Sequence, residues 1–297
     1  MSVQIPKLLF LGAGNIAQSV MKGIVRSRPD AATRILAAAP TFKNLAIIKE
    51  TLGCKITTLD VASDCIDEFQ PDFVLLCVKP QVLMASISNS KTDKLYQLLN
   101  SMPSRCTTLS LLAGIKCDII ASAFNISKSN VVRVMLNTAA EIGSTSVVFY
   151  ADERLDDSRA QSLSSLFGLI GRAVVRINDE SLMDVATGVC GSGIAFFYEM
   201  IQTISDISVK NGLGREESTL IAAQLSISAG EMLLNKRTHP YKLRDDVASP
   251  AGTTIYGLSN WHEHSTGQKI GQAFQASIDR ARTLSAASAE KLNKRGC

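Results

Sequence analysis

Histidine is almost missing from this sequence: three stand among 297 residues, at His239, His262 and His264. Imidazole-based metal chemistry therefore has little to draw on. His262-Glu263-His264 has no further ligand at metal-site spacing, and an exposed loop explains it, so no metal is expected. Cysteine is sparse as well, with seven residues, an odd number, and no C-x-x-C pair. That excludes a disulfide framework and points to a reducing, cytoplasmic compartment. No basic, serine-rich leader is evident, although mitochondrial association stays open. Aromatics make up 5% of the chain and the net charge is only +4. Without a basic stripe interleaved with aromatics, nucleic acid is not an expected partner. No apolar run approaches the length of a membrane span, so a membrane is not expected either.

What is present begins at Gly12-Ala13-Gly14-Asn15-Ile16-Ala17, directly after the short apolar run from Ile5 to Leu11. This is G-x-G-x-x-A, a dinucleotide fingerprint with alanine in the third small position. The first glycine permits a tight turn and the second lets backbone approach a pyrophosphate. Ala17 lets the helix pack on the strand. A helix from about Ile16 to Arg26 would offer its N-terminal amides to the phosphates. The second strand, Arg34 to Ala39, ends without the acidic residue that usually holds the ribose hydroxyls of NAD. With Ala39 there and Lys43 nearby, NADP(H) is favoured and NAD(H) remains an option. Further buried strands are expected at Phe73–Val78 and Thr107–Leu112. Ligands of such sheets lie at the carboxyl ends of the strands, which places Val78, Lys79, Pro80, Ala113 and Gly114 along the crevice.

After a last strand at Arg172–Ile177 the texture changes. Gly193–Lys210 and Glu216–Leu234 read as largely apolar helices, and no convincing strand follows. The expected fold is α/β. A Rossmann-like dinucleotide-binding domain occupies residues 1–177, and an all-α dimerisation and substrate domain occupies 178–297. Helices apolar nearly all round need burial that so small a domain cannot supply, and a homodimer with meshed helices answers that need. Near the end, Ser249-Pro250-Ala251-Gly252 runs into Thr253-Thr254 and an apolar-periodic segment. This reads as a helix start with Ser249 as candidate cap, and the free amides of its first turn suit a small carboxylate.

The chain resembles the pyrroline-5-carboxylate reductase family over nearly its whole length. Four islands carry the resemblance: Gly12 to Ala17, Val78-Lys79-Pro80, Thr187 to Gly193, and Lys210-Asn211-Gly212-Leu213 continuing to Asp246 through Thr254. The resemblance implies NAD(P)H-dependent reduction of 1-pyrroline-5-carboxylate, a cyclic imine, to L-proline, the last step of proline synthesis. It implies that Gly12, Gly14, Asn15, Ile16 and Ala17 hold the pyrophosphate, with Ala39 at the ribose turn. Val78, Lys79, Pro80, Ala113 and Gly114 would flank ribose and nicotinamide, and Asn137 would belong to the coenzyme site. Glu180, Asp246, Gly252, Thr253 and Thr254 would meet the substrate, with Thr254 as the catalytic residue at the ring nitrogen. A homodimer, or a larger homo-oligomer, is implied.

Three departures stand out. The family's Met-Pro-Asn-Thr-Pro is Met135-Leu136-Asn137-Thr138-Ala139 here, and its Gly-Ser-Gly-Pro-Ala is Gly191-Ser192-Gly193-Ile194-Ala195. Its Ser-Pro-Gly-Gly turn is Ser249-Pro250-Ala251-Gly252. If the third position of that turn has positive φ, alanine costs about 1 kcal/mol; at negative φ it costs nothing. Two alternatives stay open: a reductase of another cyclic imine or a hydroxyacid, and a non-catalytic nucleotide-binding paralogue.

Overall fold

The computed structural model describes residues 5–293, with side chains as far as Glu290. Two compact units emerge, one spanning Met1–Gly191 with Ile278–Cys297 and the other Ser192–Ser277. The expected boundary after Ile177 coincides with the end of the last strand, whereas the first unit continues to Gly191 and takes back the end of the chain. Residues 294–297 of the expected second domain lie outside the described residues.

The first unit holds eight strands. They are β1 (Leu8–Leu11), β2 (Ile35–Ala39), β3 (Lys55–Thr58), β4 (Phe73–Leu76), β5 (Thr107–Ser110), β6 (Val131–Met135), β7 (Thr145–Ala151) and β8 (Gly171–Ile177). Their order in the sheet is β3-β2-β1-β4-β5-β6-β7-β8. The first six are parallel, β7 runs antiparallel to β6, and β8 is parallel to β7. β1, β2, β4, β5 and β6 are buried along their whole length, as strands covered by helices on both faces must be. The helices between them are α1 (Asn15–Ser27), α2 (Phe42–Leu52), α3 (Ala62–Phe69), α4 (Pro80–Ser88), α5 (Lys94–Asn100), α6 (Cys117–Ala123) and α7 (Asp157–Gly168). They split the core into two layers, one around Phe10, Met21, Ile24 and Phe167, the other around Leu9, Leu76, Leu98 and Phe124. The strand order reverses between β3-β2-β1 and β4, so the crevice beyond the carboxyl ends of β1 and β4 is the topological switch point.

The helical elements continue with α8 (Met183–Ala186), a π-helical turn at Thr187–Gly191, α9 (Gly193–Lys210), α10 (Arg215–Lys236), α11 (Pro240–Asp246), α12 (Thr253–Glu263) and α13 (Thr266–Asn293). The expectation that nothing is long enough to span a membrane needs correction. The π turn joins flanking helices into one 31-residue stretch, Glu180–Lys210, with a mean hydropathy of 1.2 in its most apolar window, long and apolar enough by length and composition alone. The sequence shows a helix only from Gly193 onward, because Gly188, Gly191 and Gly193 interrupt the apolar pattern before it. A π turn absorbs those glycines without ending the helix.

Within the second unit, α9 and α10 pair through Ser205 Oγ and Thr219 Oγ1, 3.0 Å apart, and through Arg215, which donates to Asp206 at 2.6 Å. Phe196 meets Phe274 edge-on with centroids 4.9 Å apart. Only Gly193 and Ser205 of α9 are buried in the single chain. Tyr198, Leu220, Leu225, Leu234 and Tyr256 are each more than half exposed.

Candidate active site

The fingerprint turn follows β1 into α1. Gly12 has φ +107°, and a Cβ there would stand 2.8 Å from the Cys77 carbonyl carbon and oxygen. Those are backbone atoms of the segment after β4 and cannot swing aside, so glycine is required twice over. Gly12 N–H donates to the Ala38 carbonyl at 2.8 Å, which ties the turn to β2. Gly14 differs: an added Cβ would meet no protein atom within 4 Å. Protein packing therefore does not explain that glycine, while close approach by a phosphate-bearing ligand does. Gly14 is also the N-cap of α1, with no side chain bonding the first-turn amides of Asn15, Ile16 and Ala17. Ala17 is fully buried against the sheet. The residues present fit a dinucleotide.

Ala39 closes β2 beside Thr58 of β3. Thr41 caps α2 without a side-chain bond, and Phe42 and Lys43 are exposed. No carboxylate stands in this turn. Lys79 is the N-cap of α4, exposed, and Pro80 starts the helix where its missing N–H costs nothing. Burial pushes the neighbouring Cys77 thiol well up, so it stays neutral. After β5, Gly114 has φ +73°, and a Cβ there would lie 3.1 Å from Leu284 and Ser285 of α13. Its glycine is thus explained by backbone geometry and by the close passage of α13.

Asn137 and Glu180 both engage neighbouring protein groups. Asn137 Oδ1 accepts from Ala139 N at 3.0 Å and from Thr145 Oγ1 at 3.2 Å, and its Nδ2 donates to the Cys190 carbonyl at 2.9 Å. It thereby locks the end of β6 to the π turn. Glu180 Oε1 accepts from Cys117 N at 2.7 Å, at the start of α6, and from Arg133 at 3.2 Å. Both of these bonds fall on one carboxylate oxygen, within the first unit.

Arg133 is the residue the sequence reading missed. It lies on β6, only 2% exposed, with Glu180 at 3.2 Å and Asp184 at 3.7 Å. Asp184 in turn accepts from Ser285 of α13 at 2.7 Å. One network therefore joins β6, α6, α8 and the end of α13, beside the Gly114 turn. A lone arginine between Val131-Val132 and Val134-Met135 must be paired once that segment is buried, although the sequence does not show by what. The π turn packs equally closely. A Cβ on Gly188 would meet Ile278 at 2.6 Å, and one on Gly191 would meet the Met135 sulfur at 2.9 Å.

In the second unit, α11 leads into the Ser249–Gly252 turn. Gly252 N donates to the Ser249 carbonyl at 3.1 Å, and Ala251 has φ +56°. The alternative left open for that position is resolved: alanine occupies left-handed backbone. The cap of α12 is Gly252, not Ser249, and no side chain bonds the first turn. Ser249 stops short because its hydroxyl folds back over Gly252, 2.3 Å from where a Cβ would be. Thr253 and Thr254 hold the first two positions of α12, so their amides sit at the helix's positive end. Thr254 is partly buried and Thr253 exposed. Asp246, at the end of α11, pairs with Lys242 one turn earlier.

Residues 180–284 match the model of the pyrroline-5-carboxylate reductase dimerisation family, and residues 7–99 match that described as NADP oxidoreductase, coenzyme F420-dependent. A pyrroline-5-carboxylate reductase of Methanosarcina acetivorans is 30% identical over 93% of this chain and 95% of its own. One from Glycine max is 33% identical over the same shares. Among solved structures, a pyrroline-5-carboxylate reductase from Coxiella burnetii superposes with a TM-score of 0.79 at 23% identity, over 95% of this chain and 99% of that one. The Plasmodium falciparum pyrroline carboxylate reductase with NADP bound gives 0.78 at 22% identity, over 94% and 98%.

Proposed function

Because the chain belongs to the pyrroline-5-carboxylate reductase family, we propose that it reduces 1-pyrroline-5-carboxylate to L-proline at the expense of NADPH. The observation that carries this reading is similarity across 93% of the chain, covering the nucleotide unit and the helical unit alike. When bound, the dihydronicotinamide supplies the hydride that the imine carbon accepts.

Gly12 and Gly14 let the α1 start approach the pyrophosphate, and the amides of Asn15, Ile16 and Ala17 hold it. Ala39 leaves room at the ribose and removes the carboxylate that would repel a 2′-phosphate. Val78, Lys79 and Pro80 on one side, Ala113 and Gly114 on the other, flank ribose and nicotinamide. Asn137 and Glu180 serve by positioning, through the π turn and the Arg133 network. In the helical unit, the uncapped amides at Gly252, Thr253 and Thr254 hold the substrate carboxylate. The Thr254 hydroxyl orients the ring nitrogen. A protonated imine is already a strong electrophile, so the protein needs to supply position and charge complementarity more than an acid. Asp246, paired with Lys242, adds a polar edge beside that turn.

The active form is a homodimer closed by the apolar faces of α9 and α10, and stacking into a larger ring is compatible with it. A cytoplasmic location suits the free thiols of the described cysteines.

Two measurements test the site. Thr254→Ala lowers kcat by about 10–100-fold while the NADPH Kd stays put. Unchanged kcat in that variant removes Thr254 from the mechanism. Replacing the substrate by 1-pyrroline, which lacks the carboxylate, lowers kcat/KM. Equal kcat/KM for both imines would show that the α12 start does not read a carboxylate.

A further inference from the structure

The two ends of the sheet in the first unit differ in what lines them. Its parallel strands carry the coenzyme turns at their carboxyl ends. At the opposite, amino-terminal edge of β1, β4 and β5 lies a cavity of about 390 Å³. Three arginines line its wall: Arg34 just before β2, Arg105 just before β5, and Arg159 on α7. They come together because successive strands begin side by side here, and each is preceded by a loop that must cross this edge.

Charge on this wall is unbalanced. Among the described residues, neither Arg34 nor Arg105 has a carboxylate within ion-pair distance. Arg34 gives its Nε–H to the Ile5 carbonyl, and Arg105 bonds the Gln70 amide oxygen. Arg159 is shared between Asn130 Oδ1 at 2.6 Å and Asp156 at 3.1 Å. The single carboxylate on the wall, Asp72, already accepts the Lys7 backbone N–H at 2.7 Å. Behind this wall Thr107 is fully buried, its hydroxyl out of reach of solvent. Guanidinium forks match the paired oxygens of phosphate, and two such forks left without carboxylates are a standing attraction for an anion.

We infer that this cavity is a binding site for a small phosphate-bearing anion, held by Arg34, Arg105 and Arg159 and separate from the coenzyme crevice. About 13 Å of strand lies between the two edges. An anion bound there bridges the loops before β2 and β5 to α7. It therefore stabilises the folded unit without competing with NADPH.

The test uses the full-length protein saturated with NADPH, so that the coenzyme's own phosphate subsites are filled. Sodium phosphate is titrated against sodium chloride at matched ionic strength, with Tm and calorimetric heat as readouts. Phosphate gives a saturable rise in Tm that chloride does not. Arg105→Gln changes an exposed side chain and folds normally, yet weakens phosphate by roughly tenfold. Arg34→Gln/Arg105→Gln abolishes the effect, and both variants keep the wild-type NADPH Kd. Glycerol 3-phosphate in a second arm separates the two sources: tighter binding than phosphate marks a phosphomonoester site, weaker binding an inorganic phosphate site. No saturable effect in the wild type, or an equal effect in both variants, overturns the inference.

Discussion

At φ +56°, the Ala251 Cβ crowds the following carbonyl, which costs an L-residue about 1–2 kcal/mol. Glycine would remove that strain but loosens the unfolded chain, an opposing effect of about 0.4–1 kcal/mol. The strain outweighs the entropy, so Ala251→Gly raises unfolding stability by ~1 kcal/mol or less in urea titration. A loss of stability would mean that the turn does not hold positive φ in solution. Arg133 offers the opposite case. Replacing it with methionine leaves Glu180 and Asp184 facing each other without their cation, and such a broken buried pair costs about 3–5 kcal/mol. A midpoint close to wild type for Arg133→Met would show that the network carries little of the fold. Gly12 decides function rather than stability alone. Gly12→Ala drives a Cβ into the Cys77 carbonyl and loses NADPH binding, which coenzyme fluorescence titration reads directly.

The π turn at Thr187–Gly191 matters most among the elements, because it is the last piece of the nucleotide unit before the chain enters the helical one. Asn137 holds it through the Cys190 carbonyl. Asn137→Ala removes the side-chain bonds to the Cys190 carbonyl and the Ala139 N–H, while Thr145 keeps its bond to the Ser146 carbonyl, so a loss of about 1–3 kcal/mol is expected, accompanied by a higher KM for NADPH. An unchanged KM would restrict Asn137 to stability. Elements of this kind also mark how far the sequence could be read. Strands β1, β2, β4 and β5 were legible because they are short apolar runs bounded by turns. α9 was legible from Ile194, Phe197 and Tyr198 at helical steps. β3 and β6 were not, because Lys55 and Arg133 interrupt their apolar pattern and their pairing is settled only by neighbouring strands. The glycine turn at Gly12 and the helix start at Thr253 could be recognised from spacing. Neither the Glu180–Arg133 pairing nor the engagement of Asn137 could be, since both join residues 47 or more positions apart.

For the molecule as a whole, the apolar surface of the helical unit is the dominant fact. Leu220 is 72% exposed and Leu225 56% exposed in the single chain, uncovered by the described residues. Exposed aliphatic side chains of that kind suit the proposed homodimer interface. Leu220→Glu/Leu225→Glu therefore converts the dimer to monomer in light scattering and takes activity with it. A dimer of unchanged mass would place the interface elsewhere. The central claim, however, is chemical, and one assay meets it most directly. Purified protein is mixed with 1-pyrroline-5-carboxylate and either NADPH or NADH, following coenzyme oxidation by absorbance and proline by chromatography. The reductase oxidises NADPH faster than NADH and forms one proline for each coenzyme consumed. Tight NADPH binding with no oxidation and no proline would contradict it, leaving a nucleotide-binding paralogue or a reductase of another imine.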